Sequence, residues 1–327
     1  MRTEFDRHDE PRSIQFFGLE DTIGSESTFL WYWDGQQCGR RDKILKFMQD
    51  TTADSVASAA LPFYGVHGYA ADGVSSANSS RQVWNWVRDG WGAAPNPSVP
   101  ANVKGYQDFG KKAWMTETSG EATSWLAYGS WSSFPSEGAF SIAIKLHQAL
   151  TAGEVTAWMY WQMADNDPVS TSNVTDGTLL NQSPKYGVLK HFYKFIRPGM
   201  RRVEVAVSAG PDLETSAYYG GFAGSTAADG PGALMTIVMV NVAATATTFT
   251  LPADITASLL QIDSYASSAT AMWQAQRLTA VRNTLTLTVP GYGVTTMALT
   301  RVNVIPEPAG PGLLVPAMLL GSRVRWR

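Results

Sequence analysis

The sequence predicts an α/β unit followed by an all-β unit, on three observations. Four short apolar runs, at residues 13–19, 59–66, 112–115 and 155–161, have the length of buried strands. Helical patterns fall between them, and strands alternating with helices imply a parallel sheet whose crossovers cover both faces. From about residue 200 to 302 the pattern changes to short β-branched or alternating runs broken by Gly, Asn and Pro, the signature of an antiparallel sandwich.

The first strand run ends at Gly18-Leu19 and leads into Glu20-Asp21. The second, residues 59–66, leads into His67-Gly68-Tyr69, and a helix follows at residues 80–88. The third, residues 112–115, leads into Thr116-Glu117. Residues 138–153 then place Phe140, Ala143, Ile144, Leu146 and Leu150 on one stripe at helical spacing. The fourth strand run closes on Tyr160-Trp161-Gln162. In the second unit, strands are expected at residues 203–207, 235–240, 247–251 and 285–289. There Thr284-Leu285-Thr286-Leu287-Thr288-Val289 alternates strictly, apolar in and hydroxyl out. The domain boundaries read as residues 1–195, 196–302 and a tail at 303–327.

Composition removes several classes of function. The 327 residues are 44% hydrophobic, enough for a large core. The net charge is −3 with no basic block, which argues against nucleic acid as a partner. With one cysteine, Cys38, there is no intrachain disulfide, and four scattered histidines give no zinc spacing. No apolar run reaches the ~20 residues of a membrane span. The charged start, MRTEFDRHDEPR, is not a secretory signal.

In a parallel β/α fold, functional side chains gather at the carboxyl ends of strands. Here those ends supply Glu20, His67, Tyr69, Glu117 and Trp161, a set of acids, an imidazole and flat rings. Sugars fit that set, because their apolar faces stack on Trp and Tyr while their hydroxyls need carboxylates and imidazoles. Cleaving a glycosidic bond takes two carboxyl groups. Each residue also has a plainer reading. Glu20 caps the next helix, His67 is a satisfied structural histidine, and Trp161 fills the core as Trp158 does. His147 and His191 read as core or surface positions on helices, and Trp84, Trp86 and Trp91 as packing. No phosphate-binding glycine loop, Gly-x-Ser-x-Gly elbow or Ser/His/Asp set competes.

These segments carry a resemblance. Lys112-Ala113-Trp114-Met115-Thr116-Glu117-Thr118-Ser119-Gly120 resembles the nucleophile strand of glycoside hydrolase family 30. Val66-His67-Gly68-Tyr69 resembles the strand end before it, and Val155-Thr156-Ala157-Trp158-Met159-Tyr160-Trp161-Gln162 the final barrel strand. The stretch from Lys185-Tyr186-Gly187 to Ile196-Arg197-Pro198-Gly199 is similar to the family's junction into its side domain. Together the matches run from about residue 14 to 300. The resemblance implies a (β/α)8 TIM-type barrel with an attached β-sandwich side domain. It implies retaining hydrolysis of β-glycosidic bonds, with Glu117 as nucleophile and no metal or cofactor. Glu20 falls on a Gly-Pro-Glu segment of the family, with Leu19 in place of the proline.

The family's general acid lies in an Asn-Glu dipeptide upstream of that segment, and residues 1–12 hold none. A barrel needs ~250 residues, and only four strand runs precede residue 195. The expectation is therefore the carboxyl half of a barrel with its side domain, from a truncated reading frame, with the general acid absent and the chain inactive alone. The tail, with Pro306-Glu307-Pro308, a short apolar run and Arg323, Arg325 and Arg327, resembles a PEP-type sorting signal. That implies exosortase processing and a secreted or envelope location in a Gram-negative bacterium. The substrate is expected to be a polysaccharide or oligosaccharide of β-glucan, galactan or xylan type. No arginine follows Trp161 to meet a uronate, which tilts the expectation toward a neutral glycan. The rival reading is a non-catalytic carbohydrate-binding remnant at the cell surface; a third is a surface-anchored structural descendant.

Overall fold

A computed structural model describes residues 18–22, 44–68, 79–94, 101–130, 133–164, 170–175, 177–205, 212–220, 235–252, 260–276, 278–281 and 284–301. The chain divides into two compact units, Met1–Tyr186 and Gly187–Arg327.

The first unit is built on a parallel sheet of β1 (Gly18–Thr22), β2 (Phe63–His67), β5 (Lys112–Glu117) and β6 (Ala157–Trp158), side by side in chain order. Helices fill the crossovers: α1 (Ile44–Ala53) and α2 (Ser55–Ala60) before β2, α3 (Ser79–Asp89) before β5, and α4 (Ala139–Thr151) before β6. A small antiparallel pair, β3 (Gly90–Trp91) and β4 (Val103–Lys104), follows α3. The strand β2 is buried along its first four residues, as expected where both sheet faces are covered.

Several strand bounds differ from the sequence reading, β5 running on to Glu117 and β7 lying at Arg201–Val203 among them, and three have a local reason. The second strand starts at Phe63 rather than residue 59, because Asp54 caps α2 and its small residues extend that helix to Ala60. The Asp54 carboxylate accepts from the amides of Val56 and Ala57 at 2.9 and 3.1 Å. β1 runs on through Glu20 and Asp21, which were expected to follow it, because after a register shift past Gly18 the parallel pairing resumes with Asp21 on Val66 and Thr22 on His67. β6 pairs with β5 only at Ala157 and Trp158, so Tyr160 and Trp161 lie beyond the ladder.

Helix α4 carries the expected apolar stripe, yet it is buried from Ala139 to Ala149 on every side. Its polar residues Ser141, Lys145, His147 and Gln148 are therefore interior. Gly138, just before it, lies so close to the backbone of Trp125 and Ala127 that a Cβ would meet both at 2.5 Å. Trp84 is fully buried and Trp86 meets Trp91 edge-on at 6.2 Å, so that group packs.

The second unit follows the start of α5 (Pro184–Tyr193). Its strands are β7 (Arg201–Val203), β8 (Leu213–Tyr219), β9 (Met235–Asn241), β10 (Thr247–Pro252), β11 (Leu260–Ser268), β12 (Ala271–Ala275), β13 (Thr279–Val281), β14 (Thr284–Val289) and β15 (Gly293–Arg301). They form an antiparallel six-stranded sheet, β12-β11-β15-β9-β8-β7, and a three-stranded sheet, β10-β14-β13. Phe249, Leu251, Leu287 and Val289 of the smaller sheet share one core with Leu213, Ile237, Met239, Met297 and Leu299 of the larger. The alternation along β14 does this: Leu287 and Val289 point inward while Thr288 is exposed. His191 is buried in this unit, with Nδ1 2.9 Å from Thr296 Oγ1 and Nε2 2.7 Å from Ser267 Oγ.

Candidate active site

Parallel pairing sets the site. His67 ends β2 and Glu117 ends β5, and the ladder pairs these two residues directly after a register shift at Val66–His67. The two side chains emerge together, with His67 Nδ1 3.6 Å from Glu117 Oε2. Both are mostly covered yet reach solvent, at 19% and 26% exposure. The Gly68 amide donates to the Glu117 carbonyl at 2.6 Å, and Thr116 Oγ1 donates to the Val66 carbonyl at 3.3 Å. The backbones of both strand ends are thus fixed beneath the carboxylate and the imidazole.

Beyond β6, the Met159 amide donates to the Met115 carbonyl and the Trp161 amide to the Thr118 carbonyl, each at 2.9 Å. Trp161 is therefore tied to the residue after Glu117. Trp161 is 46% exposed, in contrast to the buried Trp158 three residues earlier. Met159 and Met163 flank it and are exposed too. The Trp161–Gln162 peptide is cis. Gln162 then exchanges backbone hydrogen bonds with Ser172 and Val174. Lys185, fully buried at the start of α5, donates Nζ to the carbonyls of Thr171 and Asn173 at 3.0 and 3.1 Å, which secures that return segment.

The positions singled out by sequence are thus placed unequally. His67 and Glu117 come together, and Trp161 is joined to their neighbourhood through Thr118. Glu20 has its backbone in β1, beside β2, and its side chain lies outside the described residues, as does the whole of Tyr69.

Sequence reasoning missed a buried group behind Glu117. Glu121, four residues further on, is almost fully buried. Its Oε1 accepts from Lys145 Nζ of α4 at 2.5 Å, and its Oε2 from the Tyr160 hydroxyl at 2.9 Å. Burial alone would raise the Glu121 pKa, but the Lys145 charge and both hydrogen bonds more than offset it and hold the carboxyl below its usual range. Lys145 stands on the side of α4 opposite the stripe of Phe140, Ala143, Ile144, Leu146 and Leu150, so the helical pattern gave no sign that it is interior. The chain between Glu121 and α4 doubles back on itself. The Ala122 amide donates to the Glu137 carbonyl at 2.6 Å and the Glu137 amide to the Ala127 carbonyl at 3.0 Å.

No family model matches the sequence, and no curated protein is significantly similar to it. Solved structures are similar in fold. A family 30 endoxylanase from Clostridium papyrosolvens superposes with a TM-score of 0.56 at 19% identity, over 89% of this chain and 57% of that one. A family 30 subfamily 8 xylanase from Clostridium acetobutylicum superposes with a TM-score of 0.55 at 19% identity, over 88% of this chain and 56% of that one. The chain thus spans less than three fifths of either neighbour's length, and over that span it has the fold of these glycoside hydrolases.

Proposed function

We propose that the chain carries the nucleophile of a retaining β-glycosidase acting on a polysaccharide, with Glu117 in that role. The observation that carries the reading is the carboxylate of Glu117 beside the imidazole of His67, at adjacent strand ends of a fold shared with known glycoside hydrolases. In the first step a Glu117 oxygen attacks the anomeric carbon while the bond to the leaving oxygen breaks. A second carboxyl group gives that oxygen a proton. Water then attacks the anomeric carbon while giving a proton to that second carboxylate, the ester bond breaks, and Glu117 leaves as the carboxylate. His67 orients Glu117, and Trp161 offers a flat face to a sugar ring. In this reading the chain supplies the nucleophile and not the proton donor, so turnover of unactivated polysaccharide by this chain is negligible. A neutral β-glucan or galactan is favoured over xylan, because no arginine follows Trp161. The tail supports a secreted or envelope-held protein processed by an exosortase; the mass of the mature carboxyl terminus in the native cell tests that.

The test of the central role uses glycosides fluorinated at C2 with a dinitrophenolate leaving group, in glucosyl, galactosyl and xylosyl forms. Such a leaving group departs without a proton, so the first step does not need the acid, while the fluorine slows release of the ester. One of them should add its glycosyl mass to the peptide that contains Glu117, and Glu117→Gln should abolish the adduct. A folded chain that takes no label from any of the three refutes the role. The exposed Trp161 ring favours a second reading, carbohydrate binding without hydrolysis. Retention on polysaccharide with no labelling would select it.

A further inference from the structure

We propose that Glu121 is a positioning residue, which with Lys145 and Tyr160 locks the ends of β5 and β6 so that Glu117 and Trp161 serve the same sugar. The inference rests on the nucleophile reading above and extends it to three residues that touch no substrate.

Three separate elements meet at one carboxylate. Glu121 comes from the segment after β5, Lys145 from the middle of α4, and Tyr160 from the segment after β6. Both Glu121 oxygens are engaged, by Lys145 and by Tyr160, which suits a holding role. The two strand-end segments are already joined by the Trp161 amide on the Thr118 carbonyl, and the Tyr160 hydroxyl on Glu121 adds a second join. Glu117 precedes Thr118 and Trp161 follows Tyr160, so both side chains leave a frame pinned at two points. Lys145 fixes that frame to a helix that is buried on all sides. A buried ion pair with good geometry is weak evidence for stability, because taking both charges out of water costs about what their attraction returns. Its arrangement here suits alignment, since a small misplacement of a reacting group can lower a rate by about 100-fold.

The experiment compares wild type, Tyr160→Phe and Glu121→Gln/Lys145→Met. The first variant removes one hydroxyl; the second removes both charges together and leaves neither stranded. Each is labelled with the activated fluoroglycoside over a range of concentrations, which separates the limiting rate from half-saturation. Amide hydrogen exchange at Trp161 and the thermal midpoint are measured on the same samples. The expected result is a limiting rate lowered about tenfold or more in the double variant, with half-saturation within about threefold, because the Trp161 face is still present. The Trp161 amide should exchange faster while the thermal midpoint stays close to wild type. Tyr160→Phe should show the same split, smaller.

Wild-type labelling in the double variant would overturn the proposal and leave the cluster a purely structural one. If wild type itself takes no label, the nucleophile reading has failed, and exchange decides the frame alone. Faster exchange at Trp161 would then support the lock, and unchanged exchange would refute it.

Discussion

Removing the imidazole of His67 shows what it does for Glu117. At 3.6 Å from Oε2, Nδ1 is near enough to orient the carboxylate as a polar neighbour and too far for a short hydrogen bond. His67→Ala should lower the limiting rate of Glu117 labelling by about 10- to 100-fold without unfolding the chain. Mass spectrometry with circular dichroism checks both, and an unchanged rate would make His67 a bystander. His191 makes a different prediction. Burial, and next the Lys190 charge, push its pKa from 6.5 down to about 3. The unfolded chain takes up a proton near 6.5 and the folded chain only near 3, so between these values the folded state binds fewer protons. Its contribution is present above the unfolded value and is lost progressively as pH falls through that window. Urea midpoints at about pH 7 and about pH 4.5 should therefore drop further for wild type than for His191→Gln. Equal losses would show that His191 is not the group responsible.

At the scale of elements, periodicity tells which side chains matter. In β14, Leu287→Ala should cost about 2–5 kcal/mol, while Thr288→Ala one residue along should stay within about 0.5 kcal/mol, as read from denaturant titration. Similar losses at both positions would mean that the strand does not alternate as described. β2, β5 and β14 were legible because sheet burial leaves a mark on each strand's own sequence, as a continuous apolar run or as strict alternation. Helix α4 was legible as a helix and not as an interior one. Its stripe shows which face is apolar, but only the chain around it decides whether the other face meets water. The group of Glu121, Lys145 and Tyr160 was hidden for the same reason. Its members stand 24 and 39 residues from Glu121, and no local pattern connects a carboxylate with a helix and a strand end that far away. Glu117 and His67 were legible as neighbours because adjacent parallel strands bring the residues at their carboxyl ends together, a rule of topology that needs no distant contact.

For the molecule as a whole, a net charge of −3 and the exposed Trp161 mean that, on the proposed carbohydrate reading, recognition would run by stacking rather than by charge. Retention on a neutral glycan should change little between about 50 mM and about 500 mM salt, a range that collapses screened attraction between exposed charges. Affinity electrophoresis at the two salt levels decides it, and a steep loss would redirect attention to an acidic glycan. The doubled-back segment after Glu121 has a consequence for how such a site can diversify. Its stem is closed by the pairing of Glu137 with Ala122 and Ala127, and Gly138 admits no side chain there. Residues 128–130 and 133–136 lie between those pairing positions in the chain. A lineage, or a protein engineer, can therefore exchange the stretch between them for a longer or shorter one while the pairing that closes the stem keeps its place.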